Sequence, residues 1–335
     1  MLPATLAISA VALLVLVWLW ARARPAGGVG RDRGNGVVPA WAGFLEPEEY
    51  RAFTDAVDLA LVDREVEAVQ RDGVAVVALP DGRPLRLGLQ NLAQQCGHLP
   101  RDRWAAFIGD HFDLVMGAEA EADAIDRTDF EAVKPRVKVR LYPTEAVEDT
   151  EADAVVLARP AEGLVAVLVY DLPHAVSSVP PEDLAAWGWS EPDLLTLGLE
   201  NLGRDTPPDR EDVEVERGVV LRLYTGASFF VSSHLLRLER LLPGELKYGA
   251  LVCAPTRHML LAHTIRDSRV LMAINAMIPQ AHLSYQRGPG SLSPHVYWWH
   301  DGRLTHLPTE VDRDVVRFTP PSDFVQRVME PLAAE

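Results

Sequence analysis

Residues 2–21 form an uncharged apolar run, and Arg22, Arg24, Arg31 and Arg33 follow it at once. At about 1.5 Å of rise per residue, a helix of this length matches the roughly 30 Å hydrocarbon core of a bilayer. A cleaved signal peptide carries positive charge ahead of its apolar core, and residues 1–5 have no charged side chain. Ala21-Arg22-Ala23 nevertheless mimics a cleavage site, which keeps that second reading open. Trp18 and Trp20 stand at the end nearest the arginines, where the headgroup zone suits an apolar ring with one N–H donor. The run therefore reads as a single-pass anchor in the cell membrane, held by the lipid bilayer. Its arginine flank places the large C-terminal part in the cytoplasm. Residues 22–44, rich in glycine and charge, read as a flexible linker.

Charge and cysteine usage narrow what the remainder can do. The chain of 335 residues has 48 acidic and 32 basic side chains, a formal net charge of −16. Nucleic-acid binding needs clustered Lys and Arg, so no nucleic-acid partner is expected. Cys96 and Cys253 are the two cysteines. Neither has His or Cys at metal-ligand spacing, and both read as buried, reduced thiols, with no metal and no cofactor expected.

Behind the linker a helix is predicted over residues 46–62. Tyr50, Phe53, Val57 and Leu61 recur there at three- and four-residue steps, and Pro47 suits the first helical position. The period then changes. Val74, Val76 and Val77 follow Asp72-Gly73, a dipeptide favoured in tight hairpins, and Pro80-Asp81-Gly82 turns into a strand at 85–87 and a helix around 89–96. A further hairpin is expected over 155–159 and 164–170, a short helix near Leu184, and strands at 213–215 and 219–223 about Arg217-Gly218. A helix over 234–242 would be capped by Ser232 or Ser233. Strands at 251–254 and 259–263, a helix at 270–281 and a hairpin turning at His300-Asp301-Gly302 complete the chain. Hairpins alternating with helices define an α+β fold on antiparallel sheet.

One segment recurs. Leu87-Gly88-Leu89-Gln90-Asn91-Leu92-Ala93 matches Leu197-Gly198-Leu199-Glu200-Asn201-Leu202-Gly203, each behind a hairpin. Two related modules are predicted, residues 45–117 and 130–318, divided by the acidic stretch 118–129. Both copies should then be helical and dock alike. Asn91 and Asn201 would tie helix to sheet backbone, or else line a groove between the modules.

A set of short motifs occurs in a fixed order: Tyr170-Asp171-Leu172-Pro173, Trp187-Gly188-Trp189-Ser190, Leu199-Glu200-Asn201-Leu202, Ser233-His234-Leu235-Leu236, Pro255-Thr256-Arg257 and Leu292-Ser293-Pro294. Together, over residues 135–307, they resemble the YtpQ-like domain-of-unknown-function family of bacteria. The chain departs from that family's pattern at His234, where the family has Arg, and at His258, where it has an acidic residue. The resemblance implies a fold and a bacterial origin, and no activity.

Four residues are weak catalytic candidates: Asp171, Asn201, Ser233 and Arg257. Ser233 and His234 are neighbours, and neighbours on a helix point about 100° apart, a poor arrangement for nucleophile and base. His258, His263, His295, His300 and His306 lack the His-Glu-x-x-His pattern of a zinc helix. Trp187, Trp189, Trp298 and Trp299 fit core packing as well as a ligand-stacking surface. The sequence favours a non-enzymatic, membrane-anchored interaction module with a cytoplasmic protein partner. The alternative is a hydrolase-like enzyme with its site between the two modules.

Overall fold

Helix α1, Pro47–Val62, starts on a proline and a capping box: the Glu46 amide donates to Glu49 Oε2 at 3.0 Å while its carboxylate accepts the Glu49 amide. The structure, a computed structural model, describes residues 38–334 except 67, 72, 79–83, 124–125, 128, 151–153, 173–174, 217, 243, 245 and 313–314. The expected anchor at 2–21 and linker residues 22–37 lie outside the described residues. Among the described residues no helix is long and apolar enough to cross a membrane. The fold begins earlier than the linker reading has it. Ala42 is fully buried, and Trp41 packs edge-on against Tyr50 and Phe53, so residues 40–44 join the first unit.

Strands β1 (Ala68–Arg71), β2 (Val74–Ala78) and β3 (Pro84–Gly88) make an antiparallel sheet. Arg71 lies opposite Val74, which leaves a two-residue turn, with Gly73 at φ +78°. Helix α2 (Leu89–Cys96) leaves β3 directly, and α3 (Trp104–Asp123) follows. Trp104, Ile108 and Phe112 recur at four-residue steps along α3 and are buried with Phe53 and Val57 of α1. The same helix carries the chain through the first half of the acidic stretch. This unit's buried core is drawn from residues 45–112, and the cores beyond it begin at Val133.

In the second half, β4 (Val137–Pro143) and β5 (Val156–Ala161) flank β6 (Leu164–Asp171), and β7 (Val176–Ser178) pairs with the end of β6. Helices α4 (Pro181–Trp187) and α5 (Glu191–Leu202) follow. A six-stranded antiparallel sheet is built from β8 (Asp209–Glu216), β9 (Val219–Thr225), β10 (Ala250–Thr256), β11 (Met259–Thr264), β12 (Tyr297–His300) and β13 (Arg303–His306), in the order β13-β12-β10-β11-β9-β8. The last turn has Asp301 at φ 49° and Gly302 at φ 76°, as a two-residue hairpin of this twist requires. Helix α6 (Val270–Arg287) lies between β11 and β12 in the chain, and β14 (Thr309–Asp312) pairs with β15 (Val315–Phe318).

Strand alternation distributes the core. Val137, Val139 and Leu141 of β4 and Ala166, Leu168 and Tyr170 of β6 meet Ala250, Val252 and Ala262 of the six-stranded sheet. That sheet's other face, with Leu251, Cys253, Leu261 and Trp298, is covered by α6 and by Phe324, Val328 and Leu332. The C-terminal unit therefore extends past residue 318, because these three apolar side chains close its core. Cys96 and Cys253 are free, buried in different cores, and burial pushes both thiols up to about 12.

Residues 89–93 and 197–202 of the repeated heptapeptide are helical, but Leu87 and Gly88 of the first copy belong to β3, and the two copies dock differently. Gly88 closes β3, and a Cβ there would meet open space. Gly198 lies within α5, and a Cβ there would stand 2.5 Å from Val139 Cγ2. Asn201 Nδ2 donates to Lys134 O and Val137 O, each at 2.7 Å, whereas Asn91 Oδ1 is buried without a hydrogen-bond partner. The equivalent docking that a duplication predicts is absent.

Candidate functional site

The alternation that sends Val137, Val139 and Leu141 into the core sends Lys138, Arg140 and Tyr142 to the opposite face of β4. Phe229 and Phe230, from the segment after β9, cover that face. Lys138 Nζ lies 5.0 Å from the Phe230 ring centre and donates to Asp171 Oδ2 at 2.6 Å and to Asp205 Oδ1 and Oδ2 at 2.7 and 2.6 Å. Burial lowers the ammonium's pKa, but the hydrogen bonds and charges of Asp171 and Asp205 outweigh it, and the group sits above its ordinary value. This cation is fully compensated.

Two residues along, the arginine is not. Arg140 is 9 % exposed; its Nη1 donates to Tyr142 Oη at 3.1 Å, while its Nε is buried without an acceptor. Arg257, in the turn between β10 and β11, comes to the same ring: Arg140 Cζ and Arg257 Cζ lie 5.8 and 5.9 Å from the Phe229 centre. Its amide donates to Gly290 O at 2.8 Å, its carbonyl accepts from Ser232 N at 3.1 Å, and its Nε too is buried and unpartnered. Gly290, at φ +72°, has no room for a side chain, since a Cβ would fall 1.9 Å from that Nε. Burial and the charge of Arg140 lower Arg257 to about 9. His258 beside it falls to about 4, through burial and then the charge of Arg257. His111 of α3 is lowered by burial and by the same arginine. The first unit also touches this region where Gln94 Nε2 donates to Gln286 O and Ser291 Oγ, at 3.2 and 3.0 Å.

The four catalytic candidates border β4 without forming one group, and no hydrogen bond joins any two of them. Asp171 neutralises Lys138. Asn201 satisfies the backbone where β4 begins. Ser233 Oγ accepts from the otherwise unpaired edge amide of Leu141 at 3.1 Å, so it caps no helix. The segment is instead a 3-10 helix, Ser232–Arg237, followed by a single turn, with no side-chain cap at its start. Arg257 stands apart with Arg140, which the sequence reading missed although the alternation at 137–142 marked it.

The remaining signals resolve into packing. Phe130 lies 4.9 Å from both Trp187 and Trp189, and Trp298 meets Phe324 at 5.3 Å, edge-on. The His295 and His306 rings lie 4.3 Å apart, tilted by 50°, and His306 Nδ1 bonds Glu162 Oε2 at 2.9 Å. Among the described residues no group of three or more His, Cys, Asp or Glu side chains is placed to hold a metal ion. No protein-family model matches the chain, and no curated protein and no solved structure shows significant similarity to it.

Proposed function

We propose that the chain is a non-enzymatic interaction module, tethered to the cell membrane and facing the cytoplasm, which docks a protein segment of alternating apolar and basic side chains. The reading rests on a groove of about 520 Å³ along β8. Val213, Val215, Leu221, Leu223, Met259 and Leu261 line it, with Ala276 and Gln280 of α6. Glu211 and Glu214, both exposed, supply an acidic rim, while Asp212 beside them is paired with Arg210 and Arg222. β8 is the last strand of its sheet, so its outer edge offers backbone groups for strand addition. Acidic side chains alone would serve to keep an edge strand from pairing. An apolar groove beside them adds a place for a partner's side chains, and opposite charge gives orientation and speed of encounter. Against catalysis, Asp171, Asn201 and Ser233 are each spent on bonds that hold β4. The YtpQ-like resemblance implies no activity and leaves this reading as it is.

The test is selection of peptides from a random display library against the full chain in detergent micelles. Peptides alternating apolar residues with Lys or Arg should be enriched, and a double Glu211→Lys, Glu214→Lys variant should bind them at least roughly tenfold more weakly. Enrichment without basic residues, or binding unaffected by the charge reversal, would overturn the docking surface.

A further inference from the structure

The protein treats its buried cations unequally. On one face of one strand, Lys138 has two carboxylates within 2.7 Å, while Arg140 has a phenol and, among the described residues, no carboxylate. Arg257 has no side-chain acceptor among the described residues, and the charges that act on it are those of Arg140 and Tyr142. Two like charges held near one another, with both Nε atoms buried and unbonded, are unfavourable unless something negative joins them. Ser232, whose amide donates to Arg257 O, has a buried hydroxyl that is also without a partner. Three unsatisfied groups thus fall around the β10–β11 turn.

We propose that Arg140 and Arg257, which approach the same Phe229 ring, form a binding site for a phosphate monoester dianion, with the missing side chain of Gly290 leaving room for the Arg257 guanidinium. A guanidinium presents paired N–H donors that match the oxygens of phosphate, and a group of charge near −2 at neutral pH balances two arginines. A monocarboxylate leaves one of them uncompensated. The site is separate from the groove on β8, and its failure leaves the docking proposal untouched.

Inorganic phosphate is the first probe, titrated into the full chain in detergent micelles by calorimetry, with ionic strength held constant by sodium chloride. Saturable binding is expected, together with a rise in the urea midpoint. Arg140→Gln and Arg257→Gln should each weaken binding at least roughly tenfold, and Arg210→Gln, on the exposed face of β8, should not. Arg257→Lys, which keeps the charge but loses the fork, should also weaken it, and serves if the glutamine variants fail to fold. Phosphatidylcholine vesicles bearing phosphatidic acid are the second probe: protection by these and not by inorganic phosphate assigns the monoester to a lipid headgroup. No response to either probe, a response that survives both arginine substitutions, or tighter binding of acetate than of phosphate overturns the site.

Discussion

A buried carbonyl stripped of its donor costs about 1–3 kcal/mol, and Asn201 supplies the side-chain donor to two, Lys134 O and Val137 O. Its amide oxygen in turn accepts from Arg204 Nη1 at 2.7 Å, so every part of the side chain is engaged. Asn201→Ala should therefore lower stability by about 2–3 kcal/mol, read as a fall in the urea midpoint with unchanged slope. Asn91 has the same place in the repeated heptapeptide but an unbonded Oδ1, so Asn91→Ala should stay within about 0.5 kcal/mol of the parent. Equal losses in the two variants would restore the symmetry that the structure denies. The residue type was readable as a tie between helix and sheet; which copy makes the tie was not, because that depends on whether a strand end lies across from the helix.

Elements closed by local chemistry were the legible part of this fold. The turns at Gly73, Gly218 and Gly302 each need a positive φ, and each was marked by a glycine between alternating apolar residues. What the sequence could not disclose was partnership. β10 pairs with β12 across the whole of α6, and β9 pairs with β11 across the Phe229 segment, so strand order depends on contacts far apart in the chain. The site divides the same way: Arg257 was named from a motif, whereas its neighbour Arg140 becomes a site residue only when the turn after β10 reaches β4. The packing of α5 on β4 can be tested at one glycine. A Cβ at Gly198 would meet Val139 Cγ2 at 2.5 Å and strand backbone at 3.0 and 3.1 Å. Backbone cannot rotate aside, so overpacking of about 1–3 kcal/mol should exceed the roughly 1 kcal/mol that alanine gains over glycine within a helix. Gly198→Ala should thus be destabilised in thermal unfolding, while Gly88→Ala, with open space around it, should not. A stabilised Gly198→Ala would mean that helix and strand are not in close contact.

Across the whole molecule the histidines set the response to acid. His111, His234, His258, His263, His282 and His295 all lie below their ordinary value of 6.5, each chiefly through burial of the ring. In the unfolded chain these rings take up protons as pH falls through 6.5, whereas in the folded chain they resist until lower pH. Over that interval the unfolded state binds more protons, so stability falls as pH falls. The penalty is absent well above 6.5, and for His258 it grows until about 4, where the folded ring also protonates. That span corresponds to about 3 kcal/mol for His258 alone. Easing of the net charge of −16 opposes the trend, but carboxylates protonate mainly near pH 4, below the upper part of the histidine window. The urea midpoint should therefore drop between about pH 7 and pH 5, before general acid unfolding begins. Because His258 Nδ1 faces Ser228 O at 3.0 Å and must donate to it, His258→Asn keeps a donor there while removing the titration. That variant should show a shallower pH dependence than the parent. A parent midpoint that is flat from about pH 7 to pH 5 would contradict the burial of these six rings, and an unchanged slope in His258→Asn would remove His258 from the set.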